Sequence, residues 1–252
     1  MVVDEPTADR PHPTGSARRR PRCAGCGRPV PACWCRFVSQ VRTRHRIVVL
    51  RHPREARHAF GTVPVLVRTI PDTEVYDGVR RTPEATQAIF GEPDRPPLLL
   101  YPGPDAGGSG VTDGAGTGET ARTLVVIDGT WGQARGMVNA DPELSALPRL
   151  SLVPTSSSRY AIRAQPFPHG LSTVEAVAEA LVLLGDEPVV RDALLRPLAA
   201  LVGMHLACAD AAGGDVLDDP VALERAGYLP PLPAAPASPA TPAPPASPAP
   251  PV

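Results

Sequence analysis

The chain contains no lysine. All 25 of its basic side chains are arginine, and they stand against 26 acids for a net charge of −1 over 252 residues. The uniform choice of arginine reflects a GC-rich coding sequence as much as function. Aromatic residues are scarce at 4%, with only two tryptophans, so the position of each tryptophan is informative. No run approaches the roughly 18 apolar residues that a membrane-spanning helix requires. Residues 1–20 are polar and proline-bearing, without the apolar stretch of a secretory signal. These absences predict a soluble, cytoplasmic protein with no membrane contact.

Proline (34) and glycine (22) are plentiful but local. From Pro230 onward the chain is almost only Pro, Ala, Ser and Thr, with no periodic apolar face, which predicts a disordered tail over 229–252. The segment 1–20 is expected to be unstructured as well. About 200 residues remain, enough for one real core. Charge is also unevenly placed. Residues 16–81 hold fifteen arginines against four acids, whereas 185–226 hold eight acids against three arginines. An arginine-rich half is the footprint of a phosphate-binding surface, or else a solvated face with compositional bias.

Four of the five cysteines, Cys23, Cys26, Cys33 and Cys35, fall within "CAGCGRPVPACWC" at C-x2-C-x6-C-x-C spacing. Gly25 and Gly27 let backbone amides turn toward the sulfurs of the first pair. Four thiolates complete a tetrahedral zinc site and leave no open position for water, so the spacing predicts a structural zinc knuckle. Disulfides are the competing reading, but nothing in the chain indicates export. Cys208 stands alone in an apolar helical stretch and reads as core.

The continuous, mostly β-branched run at 124–127 reads as a strand covered on both faces, and 47–50, 98–101 (short and buried) and 149–153 read as further strands. Residues 54–67 read as partly helical, with Pro64 interrupting the pattern. "GPDAGGSGVTDGAGTGET" is too glycine-rich to pack and predicts a mobile insertion at 103–120; it lacks the ending and the strand-to-helix context of a P-loop. "LSTVEAVAEALVLLG" has apolar residues at Val174, Val177, Ala178 and Leu181 and a Ser172-x-x-Glu175 capping box, so it predicts an amphipathic helix stopped at Gly185. A last helix is expected over 188–209. Alternating strands and helices indicate an α/β fold with a mostly parallel sheet.

One strand stops at Asp128 and gives way to Gly129-Thr130-Trp131. Asp128 is a good helix N-cap and has a purely structural reading on that ground. Strand ends in open α/β sheets are also where ligands bind. Trp131 reads either as a core aromatic or as a stacking surface.

Together the DGTW turn, the upstream "LLLYPG", the downstream "YAIR…LSTVEA" and the cysteine knuckle resemble the DTW-domain family over residues 22–209. The resemblance implies a SPOUT-like fold with a knotted C-terminal cofactor region. It also implies transfer of the 3-amino-3-carboxypropyl group of S-adenosylmethionine to N3 of a tRNA uridine, usually in the variable loop, releasing methylthioadenosine. The expected organisation is an unstructured 1–20, a zinc knuckle and basic segment over 21–46, a catalytic domain over 47–228, and the tail. Two positions depart from the family: Gly61 stands where an asparagine is usual, and Ala164 where a basic residue is common.

A carboxylate at a buried strand end could remove the weakly acidic N3 proton, or its charge could hold the cationic donor; Asp128 is the candidate for either task. Candidate cofactor contacts are Thr62, Tyr101, Pro102, Asp128, Thr130, Trp131, Leu171, Ser172, Thr173 and Glu175, with the helix N-terminus at Ser172 as an anion site. Candidate RNA contacts are Arg51, His52, Arg54, Arg159 and Arg163, and His169 is read as a surface or RNA contact. Two rivals remain on the sequence: a SPOUT-type RNA methyltransferase, and a non-catalytic zinc-knuckle RNA-binding protein.

Overall fold

The two most apolar runs lie side by side at the centre of a six-stranded sheet. The computed structural model describes residues 21–58, 60–102, 110–111, 120–153, 158–160, 162, 170–210, 224–225, 227 and 229–230. In chain order these form β1 (Arg46–Arg51), α1 (Pro53–Ala56), α2 (Val63–Thr69), β2 (Glu74–Asp77), α3 (Pro83–Phe90), β3 (Pro97–Leu100) and β4 (Gly110–Val111). There follow β5 (Thr123–Asp128), α4 (Trp131–Asn139), α5 (Pro142–Ala146), β6 (Arg149–Ser151), α6 (Thr173–Leu183) and α7 (Pro188–Asp210). The strand order is β2-β1-β5-β3-β6-β4. The first five strands are parallel, and β4 closes one edge antiparallel to β6.

Each central strand buries both faces, which is why these runs read as continuously apolar rather than alternating. Ile47, Val49, Leu124 and Val126 face a core layer formed with α2, α6 and α7. Val48, Leu50, Leu99 and Val125 face a smaller layer with α3, α4 and α5. Trp34, between Cys33 and Cys35, and Phe37, two residues past the last cysteine, are almost fully buried in the larger layer, so the knuckle shares the core of the sheet. Among the described residues, no helix is long and apolar enough to cross a membrane.

Several expectations need correction. Pro64 does not interrupt a helix. It sits in the first turn of α2, where its missing N–H costs nothing, and α1 is a separate four-residue turn. The glycine-rich stretch is not wholly outside the sheet, because Gly110 and Val111 pair with Ser151 and Leu150; 103–109 and 112–119 lie outside the described residues. Leu229, at the expected start of the tail, is buried against the main core, and 1–20 and 231–252 lie outside the described residues. Strand β2 and the five-residue helix α5 are too short to stand out in the sequence, whereas α3, missed by sequence reasoning, carries a signal in Ala85, Ala88 and Ile89 at helical spacing behind the Thr82 cap and Pro83. Cys208 falls on α7, with its side chain outside those described.

Candidate active site

Strand β5 lies between β1 and β3, and all three end on the same edge of the sheet, the position where open α/β sheets bind ligands. A cavity of about 290 Å³ opens there, between the ends of β3 and β5 and the N-termini of α4 and α6. Asp128 is the last residue of β5 and lines it, only 7% exposed. Thr173, the first residue of α6, donates its hydroxyl to Asp128 Oδ1 at 2.6 Å.

Asp128 is not the helix cap. Thr130 caps α4 in a capping box: its Oγ1 accepts from the Gln133 amide, and its own amide donates to Gln133 Oε1 at 2.7 Å. The carboxylate is thereby spared the capping task. Nor is Trp131 a core aromatic. It is half-buried at the cavity, outside both core clusters, with its ring 6.5 Å from that of Tyr101 in an edge-on arrangement. Arg149 steadies Tyr101 from another side, 5.4 Å from its ring centre, and donates to the Pro102 carbonyl at 3.0 Å.

Helix α6 begins with the capping box read from the sequence, and Glu175 does more than close it. Its carboxylate accepts from Ser172 N (2.8 Å), Ser172 Oγ (2.7 Å), Ser158 Oγ (2.7 Å) and Arg159 N (2.6 Å). Glu175 therefore ties the segment after β6 onto the start of α6. It does not line the cavity, although the sequence placed it among the cofactor contacts. The other candidates, Thr62, Tyr101, Pro102, Asp128, Thr130, Trp131, Leu171, Ser172 and Thr173, all converge on the cavity wall. Tyr160 joins them, its hydroxyl donating to the Phe60 carbonyl at 2.6 Å.

Sequence reasoning missed Glu55. It lines the same cavity and is 8% exposed, making it a second buried acid. Its position follows from the turn after β1. The His52 amide donates to the Asp128 carbonyl at 2.8 Å, His52 Nδ1 accepts from the Arg54 amide at 3.2 Å, and the short helix α1 then swings Glu55 inward. The only local signal was an acid two residues after a strand-ending His-Pro. Gly61 also lines the cavity; a Cβ there would meet His58 O at 3.4 Å, ordinary contact, so space does not demand glycine.

The RNA candidates divide. Arg51 is engaged by Asp77 in a two-pronged pair, 2.7 and 3.0 Å, and its sheet partner on the other side is Asp128. The hydrogen bond to Asp77, with help from the Asp128 charge, holds its guanidinium more firmly protonated than usual. His52 serves as the cap of α1. Arg54 and Arg159 are exposed, and Arg163 and His169 lie outside the described residues.

The four cysteines meet, with all sulfurs within 4.8 Å of one another. Cys23 and Cys35, and Cys26 and Cys33, stand 3.8 Å apart. A tetrahedron with zinc–sulfur bonds of about 2.3 Å has edges of about 3.8 Å, whereas a disulfide needs about 2.05 Å. The donor set and spacing thus fit zinc. The Cys26 amide, the Cys33 thiol and the Gly25 amide pull the Cys23 thiol down to about 6. Burial pushes Cys33 up to about 11 and raises Cys35 further. Only a bound cation stabilises four thiolates at such close quarters. Gly25 also docks the knuckle on α2: its carbonyl accepts from Arg68 Nη1 at 3.1 Å, and a Cβ there would lie 2.8 Å from that guanidinium.

A tRNA-uridine aminocarboxypropyltransferase 2 of Drosophila melanogaster is 36% identical over 197 residues, covering 75% of this chain and 76% of that protein. The protein of the same name from Macaca fascicularis is 32% identical over 216 residues, 81% of this chain and 70% of its own. A tRNA-uridine aminocarboxypropyltransferase A of Arabidopsis thaliana is 26% identical over 192 residues, 65% and 72% of the two chains. No solved structure gives a significant match. The family model described as the DTW domain matches residues 20–206, which span the knuckle, the sheet and most of α7, and the chain belongs to the DTW-domain family.

Proposed function

We propose that this chain modifies tRNA by transferring a 3-amino-3-carboxypropyl group to a uridine, with S-adenosylmethionine as donor and N3 as the acceptor atom. The names of its relatives support the reaction class. The observation that carries it on this chain is Asp128, a buried carboxylate at the strand-end cavity, held by Thr173 and neighboured by Trp131. In this reading Asp128 accepts the N3 proton as the N3 lone pair attacks the γ-carbon of the donor's methionine portion. The carbon–sulfur bond breaks, its electrons return to sulfur, and neutral methylthioadenosine leaves. Trp131 and Tyr101 offer a flat face for a base or a cationic sulfur. The N-terminus of α6 at Thr173 offers the positive end of the helix to the donor's carboxylate.

The strand order supports a SPOUT-like sheet. Strand β5 inserts between β1 and β3, β6 lies beyond β3, and the chain then returns to set Thr173 against Asp128. That return, between β6 and α6, is where a knotted cofactor region belongs in this reading. The exposed Arg54 and Arg159, with Arg163, would contact tRNA phosphates, with the variable loop as the expected target. One zinc ion on Cys23, Cys26, Cys33 and Cys35 would be structural, since four thiolates leave no position for substrate. A cytoplasmic setting suits both tRNA and reduced cysteines.

The test is direct: incubate the protein with unmodified tRNA and S-adenosylmethionine, then analyse nucleosides and small products by mass spectrometry. Aminocarboxypropyl-uridine with methylthioadenosine is the expected result. S-adenosylhomocysteine and a methylated base would mean a methyltransferase. Binding of tRNA with no modified nucleoside would mean an RNA-binding protein.

A further inference from the structure

We infer that the zinc knuckle, together with α1, is a docking surface for the sugar–phosphate backbone of the RNA: Arg22 and Arg36 of the knuckle and Arg57 of α1 contact phosphates beside the cavity. This rests on the tRNA-modification reading above. Residues 21–54 hold eight arginines and no acid. Part of that charge is neutralised within the fold, since Arg46 meets Glu74 and Glu92, and Arg51 meets Asp77. Arg22, Arg36, Arg54 and Arg57 are exposed and have no carboxylate partner among the described residues. A zinc ion on four thiolates carries two negative charges. Arg22 and Arg36 on the knuckle and Arg68 docked against it bring three positive ones, and α1 adds Arg54 and Arg57. The surface therefore stays positive outward, the electrostatic footprint of a phosphate-bearing partner.

The knuckle is also set at the cavity. Its first turn is a small hairpin, with Arg22 bridged to Pro29 and the Cys23 amide donating to the Arg28 carbonyl at 2.7 Å. The hairpin lies along α2. Gly25 accepts from Arg68 in the last turn of that helix, and the Arg28 guanidinium sits 4.5 Å from the ring centre of Phe60, just before its start. Phe60 lines the cavity with Thr62 and Tyr160. Arg57 ends α1, just after Glu55 of the cavity wall. Arg22 Nη1 donates to the Gly27 carbonyl at 2.7 Å, and the Arg36 guanidinium packs 4.9 Å from the ring centre of Phe37. Each contact steadies a guanidinium while leaving most of its five N–H groups for a ligand, and an arginine already held loses less freedom on binding phosphate. Such contacts fix the position of an RNA without reading its sequence, which is what presenting one loop to the cavity requires.

The test is binding of unmodified tRNA by the full-length protein across a salt series, with Arg22→Ala, Arg36→Ala and Arg57→Ala combined. Arg191→Ala is the control, because Arg191 lies beside Glu179 and Asp192. We expect the triple variant to lose about tenfold or more in tRNA affinity and about three from the logarithmic salt slope, roughly one per phosphate contact. Its bound zinc and its affinity for S-adenosylmethionine should match the wild type, as should tRNA binding by the control. Arg22→Lys, Arg36→Lys and Arg57→Lys together keep the charges and should retain most of the slope. A wild-type slope in the triple alanine variant overturns the inference, as does an equal loss in Arg191→Ala. If the variants do not fold, hydrogen exchange on the wild type decides: tRNA should slow exchange of amides within 22–36, and no slowing there overturns the inference. A protein that modifies tRNA without that protection removes the docking surface alone. Protection of the knuckle with no modified uridine removes the reaction and leaves the surface standing, and no tRNA binding at all removes both.

Discussion

Thr173 Oγ1 donates to Asp128 Oδ1 at 2.6 Å, so the first residue of α6 holds the last residue of β5. The two are 45 positions apart in the chain, and the contact closes the strand-end cavity across the start of a helix. It fixes one carboxylate oxygen of Asp128 and thereby the direction in which the group faces.

Asp128→Asn keeps the shape and an oxygen able to accept from Thr173 but removes the base. The rate should fall about 100-fold or more, the scale of lost general-base catalysis. Because Thr130 and not Asp128 caps α4, stability should shift by no more than about 1 kcal/mol. Thr173→Val should lower the rate and Thr173→Ser should restore it. Single-turnover kinetics beside a thermal melt check this, and loss of S-adenosylmethionine binding in Asp128→Asn would make Asp128 an anchor instead of a base.

Trp131 stands outside both core clusters, so its replacement should cost activity more than stability. Trp131→Phe keeps an aromatic face and should retain much of the rate, while Trp131→Ala should lose about tenfold or more, the worth of one stacking contact. Equal loss in both variants counts against stacking.

Purified protein should carry about one equivalent of zinc, as closed four-cysteine sites do. Trp34 and Phe37 lie in the main core, so stripping the metal should lower the melting temperature of the whole molecule. Cys26→Ser should do the same. Metal-free protein with an unchanged melt would remove the site.

Exposed Arg54 and Arg159 should contribute to salt-dependent tRNA affinity, each replacement by alanine reducing the logarithmic salt slope by about one. Arg51→Ala should change the slope little, because its guanidinium is held by Asp77. Filter binding across a salt series measures both, and a flat dependence in the wild type contradicts a phosphate contact surface.

Asp141 caps α5 and receives both prongs of Arg81, at 2.8 and 3.0 Å. Burial opposes its ionisation, but the Arg81 hydrogen bond, the amides of Leu144 and Glu143 and the Arg81 charge outweigh it and hold the carboxyl below its usual range. Its stabilisation is therefore fully present above the unfolded value of about 3.9 and is lost as pH falls through the lower folded value. Asp141→Asn should cost roughly 1.5–3 kcal/mol near neutral pH, the scale of a charged hydrogen bond, since Arg81 would lose one of its two carboxylate partners and keep Glu143. The cost should shrink in acid. A pH-independent difference between the two proteins' urea curves contradicts this.

The strands at the centre, the helix from Thr173, its capping box and the cysteine cluster were legible because each depends on residues close in sequence. Burial on both faces leaves a continuous apolar run, 3.6-residue periodicity marks a helical face, and a cap reaches only three positions. The turn at Asp128–Trp131 was legible for the same reason. Short β2, of which only Asp77 is fully exposed, and the two-residue β4 left no such pattern. Pro64 misled because proline ends one helix and begins another with equal ease, and only the preceding turn decides which.

Partners were the work of the tertiary structure. Placing β5 between β1 and β3 sets Arg51 between Asp77 and Asp128 and brings Glu55 into the cavity. The return from β6 spends Glu175 on Ser158 and Arg159 and leaves Thr173 to hold Asp128. Local pattern determines which segments become strands and helices. Which charge meets which depends on strand order, a property of the packed sheet that no window of neighbouring residues contains.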